Sequence, residues 1–183
     1  DPGDPDGLIA LQQVLRLIRR VLVITQPVGL AARRPDLDVV RVGQPLHPAD
    51  VVDAYDVEVW APRGEADRLR EHQDAPYEPQ HLLEGDETVG IGGIEFRTFS
   101  VPGHSPASIA YATDGIVFSG DVIFAGSIGR TDLEGGDMDT LVASIRRLMD
   151  ALPGETIVAS GHGPATTLER ERQTNPFLGT LRA

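Results

Sequence analysis

The chain has 183 residues, 40% of them hydrophobic and 24% charged, with a formal net charge of −12. Length and composition fit a single folded domain over residues 1–183 and exclude a disordered tail, a collagen and a coiled coil. Cysteine is absent and all 16 basic residues are arginine, which removes disulfides, thiolate nucleophiles, Schiff bases and a phosphate-loop lysine. In chain order, residues 7–20 place Leu8, Leu11, Val14, Leu15 and Ile18 at helical spacing. Strand-like runs follow at 21–25, 37–42 and 57–61, then a short helix over 64–71. Two hairpins come next. Residues 87–91 and 94–100 flank Gly92-Gly93, and residues 108–112 and 116–119 flank Thr113-Asp114-Gly115. Met138, Leu141, Val142, Ile145, Leu148, Met149 and Leu152 mark one face of an amphipathic helix. Residues 156–160 read as a buried strand, and Thr166-Thr167-Leu168-Glu169 as a capping box that opens a last helix. The pattern is that of a layered α/β protein.

The acidic surface repels phosphate backbones, so no nucleic-acid partner is expected. Apolar runs such as residues 21–24 are too short to span a bilayer. The chain opens Asp1-Pro2-Gly3-Asp4, with neither the basic region nor the apolar core of a signal, so a cytoplasmic location is expected.

Three side chains that can hold a metal each follow a predicted strand. His104 comes after 94–100, Asp121 after 116–119 and His162 after 156–160. Such strand ends are where α/β sheets build sites. Neighbouring glycines allow sharp turns there, and imidazole with carboxylate is a hydrolytic zinc ligand set. Taken singly, a histidine after a strand is more often a hydrogen-bonded turn residue, and an aspartate before an apolar run is often a cap. The three together point to a metal site. His72 and His81 lie in a polar stretch and read as solvated; Trp60 and Tyr77 read as packing residues.

Four segments carry a family resemblance. They are Val101-Pro102-Gly103-His104-Ser105-Pro106, the stretch 118–133 (FSGDVIFAGSIGRTDL), Ser160-Gly161-His162-Gly163, and Asn175-Pro176-Phe177-Leu178. In this order they resemble the metallo-β-lactamase superfamily, and most of all its glyoxalase II-like branch of hydroxyacylglutathione hydrolases. Asp1-Pro2-Gly3-Asp4 resembles a further motif of that family. The resemblance implies an αββα sandwich with strands ahead of Asp1 that this chain lacks. It implies one or two zinc ions, with iron or manganese as alternatives. His104 and His162 would be terminal ligands of different ions. Asp121 would bridge them and is the catalytic assignment. The implied reaction is hydrolysis of a small-molecule thioester or other acyl substrate by metal-bound hydroxide. The loop Arg130-Thr131-Asp132 would frame the site, with Asp132 orienting a ligand; a buried Arg–Asp pair is the structural alternative.

The family's Thr-His-x-His-x-Asp-His motif, source of four of its seven ligand positions, has no counterpart here. In the expected place stand Thr25-Gln26-Pro27-Val28-Gly29-Leu30-Ala31, with Gln26, Val28, Leu30 and Ala31 at the ligand positions. A second register, residues 44–50, keeps His47 and Asp50. The alternative function is a non-catalytic member whose scaffold binds a ligand or partner.

Overall fold

A computed structural model describes residues 59–71, 78–91 and 93–181. The helix expected at 7–20, the strands at 21–25 and 37–42, both candidate registers of the missing motif, His72 and Tyr77 lie outside these residues.

The second half of the chain builds one six-stranded sheet. Its strands are β3 (Thr88–Ile91), β4 (Ile94–Ser100), β5 (Ile109–Thr113), β6 (Ile116–Gly120), β9 (Ile157–Ser160) and β10 (Thr166–Thr167). The order is β10-β9-β6-β5-β4-β3, antiparallel except for the parallel pair β6–β9. Both expected hairpins form. Between β5 and β6 the two loop residues Asp114 and Gly115 have φ of 42° and 76°, the positive values that a twisted two-residue hairpin needs. A parallel neighbour cannot be reached by a tight turn. The chain therefore leaves β6, forms the small hairpin β7 (Ile123–Phe124) and β8 (Ser127–Ile128), and returns through helix α2 (Met138–Ala151). A separate parallel pair joins β1 (Trp60–Pro62) to β2 (His81–Leu83), with a 3-10 turn (Arg63–Glu65) and helix α1 (Ala66–Arg70) between them. Helix α3 (Leu168–Thr174) and a closing 3-10 segment (Pro176–Leu181) end the described chain.

Burial follows the period-2 alternation of the strands. On β5, Ala110 and Ala112 pack with Phe99, Val117 and Val158 against Leu141, Ile145, Leu148 and Met149 of α2. Ile109 and Tyr111 point the other way and join Phe96, Leu83 and Ile91, with Trp60 and Phe118 alongside. The sheet is thus covered on both faces, as the inner layer of a sandwich must be. Burying one Leu or Ile side chain contributes about 1.5–3 kcal/mol, so α2 is held mainly by its apolar stripe. Polar contacts then fix its position against the loop after β4. Ser144 Oγ donates to the Pro102 carbonyl at 2.7 Å, and the Asp137 amide donates to the Gly103 carbonyl at 2.8 Å.

Three expectations need correction. Met138 is 44% exposed, because it occupies the first turn of α2, beyond the sheet-facing stripe. The capping residue of α3 is Thr167, whose hydroxyl accepts from the Arg170 amide, rather than Thr166. Thr166 is drawn into β10 by its pairing with Val158. His81 is not a solvated side chain; its ring stacks on Trp60 with centroids 3.9 Å apart.

Ile145→Ala is expected to cost about 2–5 kcal/mol in urea unfolding, because the side chain is fully buried in the α2–sheet core. Its neighbour substitution Ser144→Ala removes one hydrogen bond and is expected to cost about 1 kcal/mol. The reverse ranking would contradict the packing described here.

Candidate functional site

Three strand exits meet at one sheet edge because of the pairing pattern. Since β5 is antiparallel to both β4 and β6, those two strands run in the same direction, and β9 runs parallel to β6. The carboxyl ends of β4, β6 and β9 therefore share an edge. His104, Asp121 and His162 each lie within four residues of one of these ends. The register brings Asp121 and His162 closest. Phe118 pairs with Ala159 and Gly120 with Ser160, so β6 holds one extra residue, Ser119, at its last step. A bulge of this kind re-aims the following side chain.

Asp121 lies between the two imidazoles. His162 Nδ1 donates to Asp121 Oδ1 at 2.9 Å, since a carboxylate can only accept. His104 Nε2 is 3.9 Å from Asp121 Oδ2, too far for a hydrogen bond. Two ligand atoms each about 2.1 Å from one ion are at most about 4.2 Å apart, so that gap admits a shared cation. His104 and Asp121 are nearly enclosed, with side chains 11% and 14% exposed, whereas His162 is 65% exposed. The Phe124 and His162 rings meet in a T-shaped arrangement, centroids 6.1 Å apart.

The tautomer of His104 follows from one contact. Its Nδ1 lies 2.9 Å from the Arg130 carbonyl. A carbonyl cannot donate, so Nδ1 carries a proton, and in the neutral ring the lone pair is on Nε2, the nitrogen on the Asp121 side. This is the arrangement second-sphere carbonyls impose on metal-binding histidines. Two glycines make the approach feasible. A Cβ on Gly129 would lie 1.9 Å from the Asp121 carbonyl oxygen, and one on Gly103, whose φ is +127°, would lie 2.4 Å from the Leu141 backbone. Only glycine lets the 129–130 segment and the His104 loop come so close.

Asp132 does not orient a ligand. Arg130 Nε and Nη2 donate to its two carboxylate oxygens at 2.8 and 2.7 Å, in a pair that is exposed rather than buried. The orienting group is the Arg130 backbone carbonyl, which no side-chain motif could reveal. The Arg130 guanidinium holds the Asp132 carboxyl down to about 2.

The spacing of His104 Nε2 and Asp121 Oδ2 admits a cation between them, whereas His162 Nδ1 is hydrogen-bonded directly to Asp121 Oδ1 and would have to give up that bond to share one. Among the described residues no group of three or more His, Cys, Asp or Glu side chains converges to hold an ion. His47 and Asp50, kept in the second register of the missing motif, lie outside those residues.

A family model of the metallo-beta-lactamase superfamily matches residues 42–162, a span that contains all three candidate residues. The chain belongs to the metallo-beta-lactamase superfamily. Among curated relatives of this superfamily member, a probable metallo-hydrolase, YqgX, of Bacillus subtilis is 49% identical over 54% of this chain and 47% of its own. The hydroxyacylglutathione hydrolase GloC of Haemophilus influenzae is 40% identical over 51% of this chain and 45% of its own. The chain thus spans about half the length of the curated relatives it matches. Among solved structures, the B3 metallo-beta-lactamase BLEG-1 superposes with a TM-score of 0.69 at 34% identity, covering 98% of this chain and 87% of that one. TTHA1623 in a di-iron-bound form gives 0.60 at 36% identity, covering 97% and 87%. The fold expectation of the sequence is met. No helix among the described residues is long and apolar enough to cross a membrane.

Because its carboxyl is depressed by Arg130, Asp132 is expected to stay ionised until the pH falls through about 2. Carbon-13 NMR of the carboxyl should show this midpoint in the wild type and a return to roughly 3.9 in Arg130→Ala. An ordinary midpoint in the wild type would show that the pair does not persist in solution.

Proposed function

We propose that this chain carries the carboxylate–imidazole part of a metal-dependent hydrolase acting on a thioester or other small acyl substrate, of the hydroxyacylglutathione hydrolase type. The observation that carries the reading is Asp121 shared between two imidazoles. One of these, His104, has its Nδ1 proton on the Arg130 carbonyl and its Nε2 on the carboxylate side. Identity to GloC supports the thioester class. His104 and Asp121 would hold one ion, and Asp121 and His162 a second, with zinc as the first expectation and iron or manganese as alternatives. A bound divalent ion supplies Lewis-acid polarisation of an acyl carbonyl and acidifies a water molecule.

The chain's own residues shape the rest. The Asp121 negative charge, enclosed at the sheet edge, favours a cation over neutral ligands there. The Arg130 carbonyl keeps His104 in one tautomer, so its lone pair needs no reorganisation on binding. His162, exposed and next to Phe124, forms the open side, where a small acyl group could enter against an apolar edge. The Arg130–Asp132 pair stands exposed on the loop that supplies this carbonyl.

A second reading is a scaffold that binds a ligand or partner without catalysis. The positions Gln26, Val28, Leu30 and Ala31 favour it, because none of them is a good zinc ligand. The test that separates the two is hydrolysis of a hydroxyacylglutathione thioester by the chain loaded with zinc, iron or manganese. The enzyme reading expects a rate at least about a hundredfold above background, reduced to background by Asp121→Asn. A background rate with every metal would favour the scaffold.

A further inference from the structure

Glu171 is 1% exposed and Asn175 is fully buried. Their side chains join elements far apart in the chain. Glu171 Oε1 accepts from the Thr166 hydroxyl at 2.6 Å, and Oε2 from the Gly126 amide at 2.8 Å. The Asn175 amide group donates both to Glu171 Oε2 and to the Ser127 carbonyl, each at 2.9 Å, while its oxygen accepts from the Phe177 amide at 3.1 Å. Gly126 stands in the turn of the β7–β8 hairpin, with φ +73°, and Ser127 opens β8 directly after it. Two buried side chains of the C-terminal segment therefore grip the tip of this hairpin.

The hairpin cannot hold itself. It has two paired positions, Ile123↔Ile128 and Phe124↔Ser127, and a two-stranded ribbon is marginal in water even when longer. Yet every candidate residue leans on it. Phe124 faces the His162 ring. Gly129, the residue after β8, donates its amide to the Val122 carbonyl at 3.1 Å and packs against the Asp121 carbonyl. Arg130 comes next and supplies the carbonyl that fixes His104. A shift of the tip would be passed by this short ladder to all three.

We propose that Glu171 and Asn175 are positioning residues: a buried clamp on the β7–β8 turn that sets His104, Asp121 and His162 relative to one another. The proposal rests on reading those three as a cation-holding site, but the clamp can be tested without a cation. Glutamine at position 171 can keep the network. Its amide oxygen takes the Gly126 and Asn175 donors while its NH2 donates to the Thr166 hydroxyl. Alanine leaves the buried Thr166 hydroxyl and Asn175 amide, and the Gly126 amide, without this partner.

The experiment uses the full chain in four forms: wild type, Glu171→Gln, Glu171→Ala and the core variant Ile145→Ala. Nitrogen-15 NMR of the metal-free imidazoles at about pH 8 reads the tautomer of neutral histidine. Wild type, Glu171→Gln and Ile145→Ala are expected to hold His104 with its proton on Nδ1. Glu171→Ala is expected to show averaging between tautomers. Cobalt(II) affinity, read from its visible absorption, is expected to fall at least about tenfold in Glu171→Ala and to stay within about threefold in the other variants. An unchanged His104 tautomer in Glu171→Ala would overturn the clamp, as would an equal loss in Ile145→Ala, which would assign the effect to stability alone. Absence of cobalt binding to the wild type would sink the cation reading and leave the tautomer comparison to decide the clamp. Should Glu171→Ala fail to fold, Thr166→Val removes one donor with shape retained. It is expected to weaken cobalt binding about threefold, and no change in either readout would overturn the proposal.

Discussion

The parallel register of β6 and β9 is the constraint on which the site depends. A parallel pair forces a long crossover, and this one, from Asp121 to Thr156, contains the β7–β8 hairpin and helix α2. It also sends both strands to the same edge, where the extra residue Ser119 at the end of β6 turns Asp121 towards His162. The antiparallel neighbours then carry β4 to that edge with His104. Three residues separated by 17 and 41 positions along the sequence meet through strand direction, without local sequence bringing them together.

Packing and chemistry at this edge are coupled through the hairpin. Its exposed tip is hydrogen-bonded from below by the buried Glu171 and Asn175 side chains. Its base touches the Asp121 backbone at a distance only glycine allows, and the next carbonyl selects the His104 tautomer. The site is thus held from behind by hydrogen bonds that stay satisfied whether or not a cation is present, which is how preorganised binding geometry is maintained. Asp121 is nearly enclosed and bonded to His162, and of the three it is the one that faces both of the others.

Much of this could be read in the sequence where local patterning dominates. Asp-Gly between two apolar runs marked the β5–β6 hairpin, because positive φ at both loop residues is a local demand. The apolar spacing from Leu141 to Met149 marked the sheet-facing side of α2. His104, Asp121 and His162 stood out by their glycine-rich surroundings after strands. What escaped was non-local. Two-residue strands such as β7 and β10 have too few residues to show a period. The capping role passed from Thr166 to Thr167 because pairing with Val158 claimed the former. The orienting role passed from Asp132 to the Arg130 carbonyl, a backbone group that every residue has. The buried Glu171 gave no signal, since its neighbours Glu169, Arg170 and Arg172 make the segment look solvated.

The proposed role of Asp121 as common ligand at the β4–β6–β9 edge is open to a direct test. Anomalous X-ray diffraction from crystals of the chain soaked in zinc tests it most directly. Zinc density is expected in contact with Asp121 and with the imidazole of His104 or His162, abolished in Asp121→Asn. Density located elsewhere, or no density at this edge in fully soaked crystals, would contradict it.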